Sequence, residues 1–243
     1  MFPLKDDIPS RSTPFVTCGL VALNILIFLY QASLQGEASP AGVQAARDFI
    51  FEFGLVPCRL TRECAPGGGL LPPALTVVTS MFLHGGILHV GGNMLYLWIF
   101  GNNVEDTLGH ARFLVFYLVS GMAAAAAQVA LSAGSSVPMI GASGAVAGVL
   151  GAYLLLFPRA NILTVVIVGF FIRIVRIPAV FVLGFWFLVQ FLSGLATWAV
   201  PRGEAAGGET AWFAHLGGFL AGMVLLLVLR PRDSWARGPS RSW

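Results

Sequence analysis

Charge is what this sequence has least of. Asp, Glu, Lys and Arg make up 10% of the 243 residues, against about a quarter in soluble domains, and lysine occurs once, at Lys5. That shortage, with 57% hydrophobic residues and a mean hydropathy of +0.82, excludes an ordinary soluble domain. With so few lysines and no basic amphipathic stripe, a nucleic-acid partner is excluded too, and the formal charge of +3 is explained by arginines biased to one side of a membrane. There is no cleavage site before the first apolar run, so residues 15–31 read as a retained helix rather than a signal peptide. There is no internal repeat and no charge in mid-helix, which speaks against a transporter or channel. No carboxylate stands near His84, His89 or His215 in sequence. A zinc site from these three is chemically conceivable but lacks the acid or base that zinc hydrolases use, and neither metal nor cofactor is expected.

What the chain has is apolar segments, at 15–31, 88–104, 112–131, 143–157, 179–199 and 212–229. Several approach the roughly 20 residues that cross a bilayer. They predict an all-α membrane protein, multi-pass in the cell membrane, with six transmembrane helices in one domain over 15–229. A cytoplasmic segment (1–14) precedes it and a basic cytoplasmic tail (230–243) follows. Segments 88–104 and 143–157 are short and glycine-rich and are expected to start below the membrane surface. Ten basic residues fall on one side of this arrangement and four (Arg47, Arg59, Arg62, Arg202) on the other, so both termini are expected in the cytoplasm. Residues 160–177 are apolar but interrupted by Arg173 and Arg176. They read as chain at the inner interface with snorkelling arginines rather than as a seventh span.

Residues 32–87 form a long extracytoplasmic loop between the first two helices. Phe49, Ile50, Phe53 and Leu55 among Arg47, Asp48 and Glu52 predict a short amphipathic helix over Ala45 to Val56. Cys58 and Cys64, in PCRLTREC, make either a small disulfide-closed loop or two free thiols. Gly67, Gly68, Gly69, Pro72 and Pro73 then read as an irregular linker.

Ser143, in GASGAVAG (141–148), stands at the mouth of an apolar segment with little bulk around it and free backbone N–H groups beside it. Taken alone it could be a helix cap or a packing residue. Two other features change that reading. His89 and Asn93 are four residues apart and share a helix face, with His84 on the entering loop, where it serves either chemistry or a network that pins loop to helix. His215 precedes a second glycine pair, Gly218 and Gly222, that matches Gly144 and Gly148. If those glycine faces meet, the two backbones approach closely enough for a hydrogen bond from Ser143 to His215. A nucleophile, a base and oxyanion donors would then be at hand: Ser143, His215, and the Ser143 N–H with His89 and Asn93. No Asp or Glu lies at a depth to orient the imidazole, so a dyad is expected. The fifth segment, rich in Phe and Trp, reads as lipid-facing or gate-forming.

These residues carry a resemblance. HGGILHVGGN (84–93), GASG around Ser143 and AHLGGFLAG around His215 resemble, in order and spacing, the motifs of bacterial rhomboid intramembrane serine proteases, and Glu105 with Gly109 resembles the family's ExxxG turn. The resemblance implies a six-helix bundle, Ser143 as nucleophile, His215 as general base, His89 and Asn93 at the oxyanion site, and His84 as a supporting residue of the same pocket. It implies membrane-protein substrates, single-span or polytopic, a lipid surround, and an active site opening to the extracytoplasmic side. The first loop departs from the family in having no Trp-Arg pair. An inactive relative that only binds transmembrane helices would have lost a serine, histidine or donor, and none is lost.

Overall fold

The computed structural model describes residues 1–34, 39–64, 69–169, 171–199 and 211–231. The loop at 201–210 and the tail beyond Pro231 lie outside the described residues, as do Gly67 and Gly68 of the linker. In chain order the elements are β1 (Phe2–Asp6), α1 (Phe15–Leu34), α2 (Pro40–Phe53), α3 (Pro57–Thr61), α4 (Pro73–Thr79), α5 (Ile87–Leu108), α6 (His110–Leu131), α7 (Ser143–Leu156), β2 (Asn161–Val168), β3 (Phe171–Pro178), α8 (Ala179–Ala199) and α9 (Trp212–Leu229). A short 3-10 turn, Ser80–Phe82, follows α4.

Among the described residues, four helices are long and apolar enough to cross a membrane: α1, α6, α8 through Ala196, and α9. The α4 segment and α5, bent by 81° at the break between them, make a fifth when taken as one broken span. The 14-residue α7 is apolar but shorter. Outward-facing side chains such as Leu26, Phe181 and Val228 are more than half exposed. That is the surface of a protein whose solvent is hydrocarbon. The fold is thus multi-pass and largely α-helical.

It is not all-α. β1, β2 and β3 form an antiparallel sheet in that order, with Asn161 opposite Pro178 and Phe2 opposite Val165. The stretch 160–177, expected as interfacial chain, thus holds two paired strands, β2 and β3, as a hairpin among its described residues, and the N-terminal segment supplies the third strand of the sheet. Asp7 binds Asn161 through both carboxylate oxygens, each at 2.8 Å. Buried Asp6 accepts from Tyr153 Oη at 2.6 Å and Asn103 Nδ2 at 2.5 Å. Burial pushes the Asp6 carboxyl above its ordinary value, and the Tyr153 hydrogen bond opposes that shift.

The corner between the second and third long helices is tighter than the sequence suggested. α5 continues through Leu108, and the only break before α6 is Gly109, at φ +80°. A side chain there would be strained. Glu105, fully buried, accepts from Val16 N, Thr17 N and Thr17 Oγ1 at 2.6–2.9 Å. It thereby satisfies the open amides at the start of α1, a capping carboxylate supplied from another helix. His110 Nδ1 lies 2.5 Å from the same carboxylate. The ExxxG pattern is thus a corner that pins α1, and His110 is occupied there.

In the first loop the amphipathic helix starts earlier than expected, at Pro40 after an N-cap by Ser39, and Pro73 opens α4 rather than sitting in a linker. Cys58 and Cys64 are joined by a disulfide with Cα atoms 5.2 Å apart. Arg59 Nη1 donates to Phe51 O at 2.8 Å, and the guanidinium lies 5.8 Å from the Phe51 ring centroid. An arginine on an aromatic ring thus ties α3 to α2.

Candidate active site

Close approach of two helices builds this site. Ideal Cβ atoms on Gly218 and Gly222 would strike the backbone oxygens of Gly144 and Gly148, and one on Gly151 would strike Phe219 O. The glycine faces of α7 and α9 therefore meet backbone to backbone, as the paired GxxxG patterns predicted. The alanine run of α6 forms the floor, with Ala124 under Gly144 and Gly218. Gln128 on α6 accepts from Ala214 N at 3.2 Å, satisfying one of the open amides in the first turn of α9.

At the common end of these helices Ser143 Oγ lies 2.8 Å from His215 Nε2. Ser143 is the first residue of α7, and its side chain makes no capping bond. The hydroxyl is turned to the imidazole instead. Trp186 and Trp212 flank the His215 ring, at 6.0 and 6.2 Å between centroids. The pair opens into a cavity of about 970 Å³ that His89, Asn93, Trp186 and Gln190 also line.

His89 and Asn93 come to this cavity as the shared helix face predicted. Gly85 N donates to His89 Nδ1 at 3.3 Å. The proton of that neutral ring is then on Nε2, the nitrogen facing Gly141, where an added Cβ would sit 2.8 Å away. Gly141 itself, at φ +129°, occupies backbone space closed to other residues, and its N–H donates to Ser80 O. Asn93 Nδ2 is buried with no protein partner. His84 is placed differently. It does not line the cavity but stands edge-on behind the His89 ring at 5.1 Å, with its backbone held on both sides by the Gln31 amide, at 3.0 and 3.3 Å. Of the sequence candidates, Ser143, His215, His89 and Asn93 converge, and His84 backs one of them. Among the described residues no three His, Cys, Asp or Glu side chains form a ligand-like group.

Two residues were overlooked in the sequence. Gln190 on α8 places Oε1 2.7 Å from His215 Nδ1, where no third member was expected. Its one mark in the sequence is an amide in the middle of an aromatic and aliphatic segment, which by itself does not say what it faces. Gln31, the clamp on His84, was hidden at the end of the first apolar run.

Comparison with known proteins agrees with this geometry. Residues 73–232 match the Rhomboid domain family. The chain is similar to Rhomboid protein 1, mitochondrial, of Saccharomyces cerevisiae, 33% identical over 158 residues that cover 62% of this chain and 40% of that protein. It is similar to RHOMBOID-like protein 6, mitochondrial, of Arabidopsis thaliana, at 31% over 161 residues, 65% of this chain and 45% of that protein. Rhomboid protease GluP of Bacillus subtilis is 42% identical over 78 residues, 32% of this chain and 15% of that protein. The chain thus spans less than half the length of these curated relatives, which are bacterial and mitochondrial alike. With its family match running through the Ser143 and His215 helices, the chain belongs to the rhomboid family.

Proposed function

We propose that the protein is an intramembrane serine endopeptidase that hydrolyses peptide bonds in or near transmembrane segments of membrane proteins. The observation that carries this is the 2.8 Å contact of Ser143 Oγ with His215 Nε2 at the mouth of a polar-lined cavity within an apolar bundle. Ser143 Oγ adds to the scissile carbonyl carbon while its proton passes to His215 Nε2. The carbonyl oxygen becomes an oxyanion, held by the Ser143 N–H, His89 Nε2–H and Asn93 Nδ2–H. Collapse breaks the C–N bond and His215 returns the proton to the leaving amine. Water then repeats the sequence on the acyl-enzyme, with His215 again as base. His84 sets the position of the His89 ring.

Placement in the bilayer follows the same reading. Six spans, as in bacterial rhomboids, are α1, α5 with its α4 lead-in, α6, α7, α8 and α9. At 1.5 Å per residue α7 is about 21 Å long, roughly 9 Å short of a 30 Å hydrocarbon core. With its far end at the inner boundary, Ser143 lies below the outer surface, and the cavity is the route for water. A substrate helix enters sideways and unwinds locally, because a peptide bond in an intact helix is sterically protected and hydrogen-bonded.

The test is incubation of purified protein in liposomes with a panel of single-span substrates. Wild type should cleave. Ser143→Ala and His215→Ala should each abolish cleavage, and the double variant should cost little more than either single one, because the pair acts as a unit. Cleavage by Ser143→Ala at a comparable rate would sink the assignment.

A further inference from the structure

A neutral imidazole has two tautomers, and only one can take a proton from Ser143. That tautomer carries its hydrogen on Nδ1 and a lone pair on Nε2. Both His215 and its neighbour Gln190 are buried, at 9% and 8% exposure. A buried Nδ1–H without an acceptor would be costly, and it would have no reason to stay on Nδ1. Asp or Glu is the usual acceptor at this position, yet the sequence has no acidic residue between Asp106 and Glu204. Gln190 Oε1, 2.7 Å from Nδ1, fills the place.

We propose that Gln190 is a positioning residue that holds His215 in the tautomer able to act as base, so that the catalytic device is Ser-His-Gln with an uncharged third member. This rests on the serine protease reading above. The amide can face the ring in two ways. With its NH₂ toward Nδ1, the imidazole proton would move to Nε2, and Ser143 could no longer donate there. The structure sets Oε1, not Nε2 of the amide, 2.7 Å from Nδ1 and Ser143 Oγ 2.8 Å from the imidazole Nε2, the arrangement in which Nδ1–H donates to Oε1 and Oγ–H donates to Nε2. A carboxylate would also stabilise the imidazolium but would need desolvating inside the bundle. An amide fixes the tautomer without that cost and gives less charge stabilisation. Among the described residues the other titratable groups in this cavity are His89, across it on α5, and Tyr96 one turn beyond Asn93. Neither supplies a negative charge near neutral pH.

The experiment uses Gln190→Met, which removes the acceptor at similar length, and Gln190→Glu, which keeps it. Full-length protein labelled with ¹⁵N-histidine is examined by NMR in detergent, the His215 signals being identified by their loss in His215→Asn. Wild type should show a protonated Nδ1 and an unprotonated Nε2, and Gln190→Met should move the proton toward Nε2. In liposomes Gln190→Met should lower kcat by about tenfold to a hundredfold, below the full worth of a general base, with KM unchanged. Gln190→Glu should recover much of that loss. It should also move the acid limb of the pH–rate profile to higher pH, since a carboxylate at Nδ1 favours the imidazolium. An unchanged tautomer in Gln190→Met, or a kcat loss with Nδ1 still protonated, would overturn the proposal in favour of packing. If Gln190→Met does not fold, the acid limb of Gln190→Glu decides alone, and an unmoved limb overturns it. Cleavage that survives Ser143→Ala would defeat the protease reading instead, and the ¹⁵N tautomer would still decide the role of Gln190.

Discussion

A buried amide N–H with nothing to bond is expensive, and one that faces a cavity is available to whatever enters it. Asn93 Nδ2 is such a group, on the helix face that also carries His89 into the Ser143 cavity. In the proposed mechanism it meets a charge that exists only in the transition state. Asn93→Ala should therefore lower turnover by about 10²- to 10³-fold, the usual loss for one oxyanion donor, while apparent substrate affinity changes little. Steady-state kinetics separates the two, and an effect confined to KM would move Asn93 into substrate binding. At this scale the sequence was legible where a polar side chain stands at a helix mouth beside small residues, as at Ser143, His215, His89 and Asn93. It was not legible at Gln190. Position 190 is close to position 215 only because α8 packs beside α9, and nothing within an aromatic-rich segment says which way one amide faces.

The elements owe their arrangement to residues with no side chain to spare. Gly222 touches Gly148 backbone across the α7–α9 contact, so any side chain must push the helices apart. The Ser143–His215 bond sits at the end of that same contact and would be lengthened with it. Gly222→Ala should destabilise by about 1–3 kcal/mol, the range for overpacking a close-packed interior, and should cost activity out of proportion to stability. Gly91 on α5 is the control: an added Cβ meets nothing within 4 Å, so Gly91→Ala should hold or raise the unfolding midpoint, given the helix preference for Ala over Gly. Thermal unfolding in detergent and initial cleavage rates measure both. A Gly222→Ala variant as stable and active as wild type would mean the helices slide freely past each other. The helix pairing was readable because GxxxG states a contact face. The sheet was not. Ile172, Ile174 and Arg176 share one face of β3, but Arg173 and Arg176 are also one helical turn apart, and β1, which pairs with the other strand of the hairpin, β2, lies more than 150 residues before it.

For the whole molecule, the hairpin decides how the ends of the helices relate. Asn161 pairs with Pro178, and Ala179 N bonds Ala160 O at 2.8 Å, so the chain leaves α7 and enters α8 at the same level. α8 then runs back toward the end where Ser143 lies, and α9 starts there with His215. A full crossing between α7 and α8 would instead have parted serine and histidine by about 30 Å, the hydrocarbon thickness. The hairpin end carries Lys5, Arg11, Arg159, Arg173 and Arg176, while Arg47, Arg59 and Arg62 lie with the disulfide-closed loop at the other. We propose, from the positive-inside rule, that the hairpin end lies in the cytoplasm and that the Ser143 cavity opens on the opposite, oxidising side, which suits a Cys58–Cys64 bridge. Labelling in intact cells with a membrane-impermeant thiol reagent checks this orientation. Cys18 is the one cysteine outside the disulfide, so Cys18→Ala gives a silent background. On that background Leu70→Cys, at a position 91% exposed in the first loop, should react. Arg159→Cys, exposed just before the hairpin, should react only after the membrane is permeabilised. The reverse pattern would invert the protein in the membrane and place its active site on the cytoplasmic face.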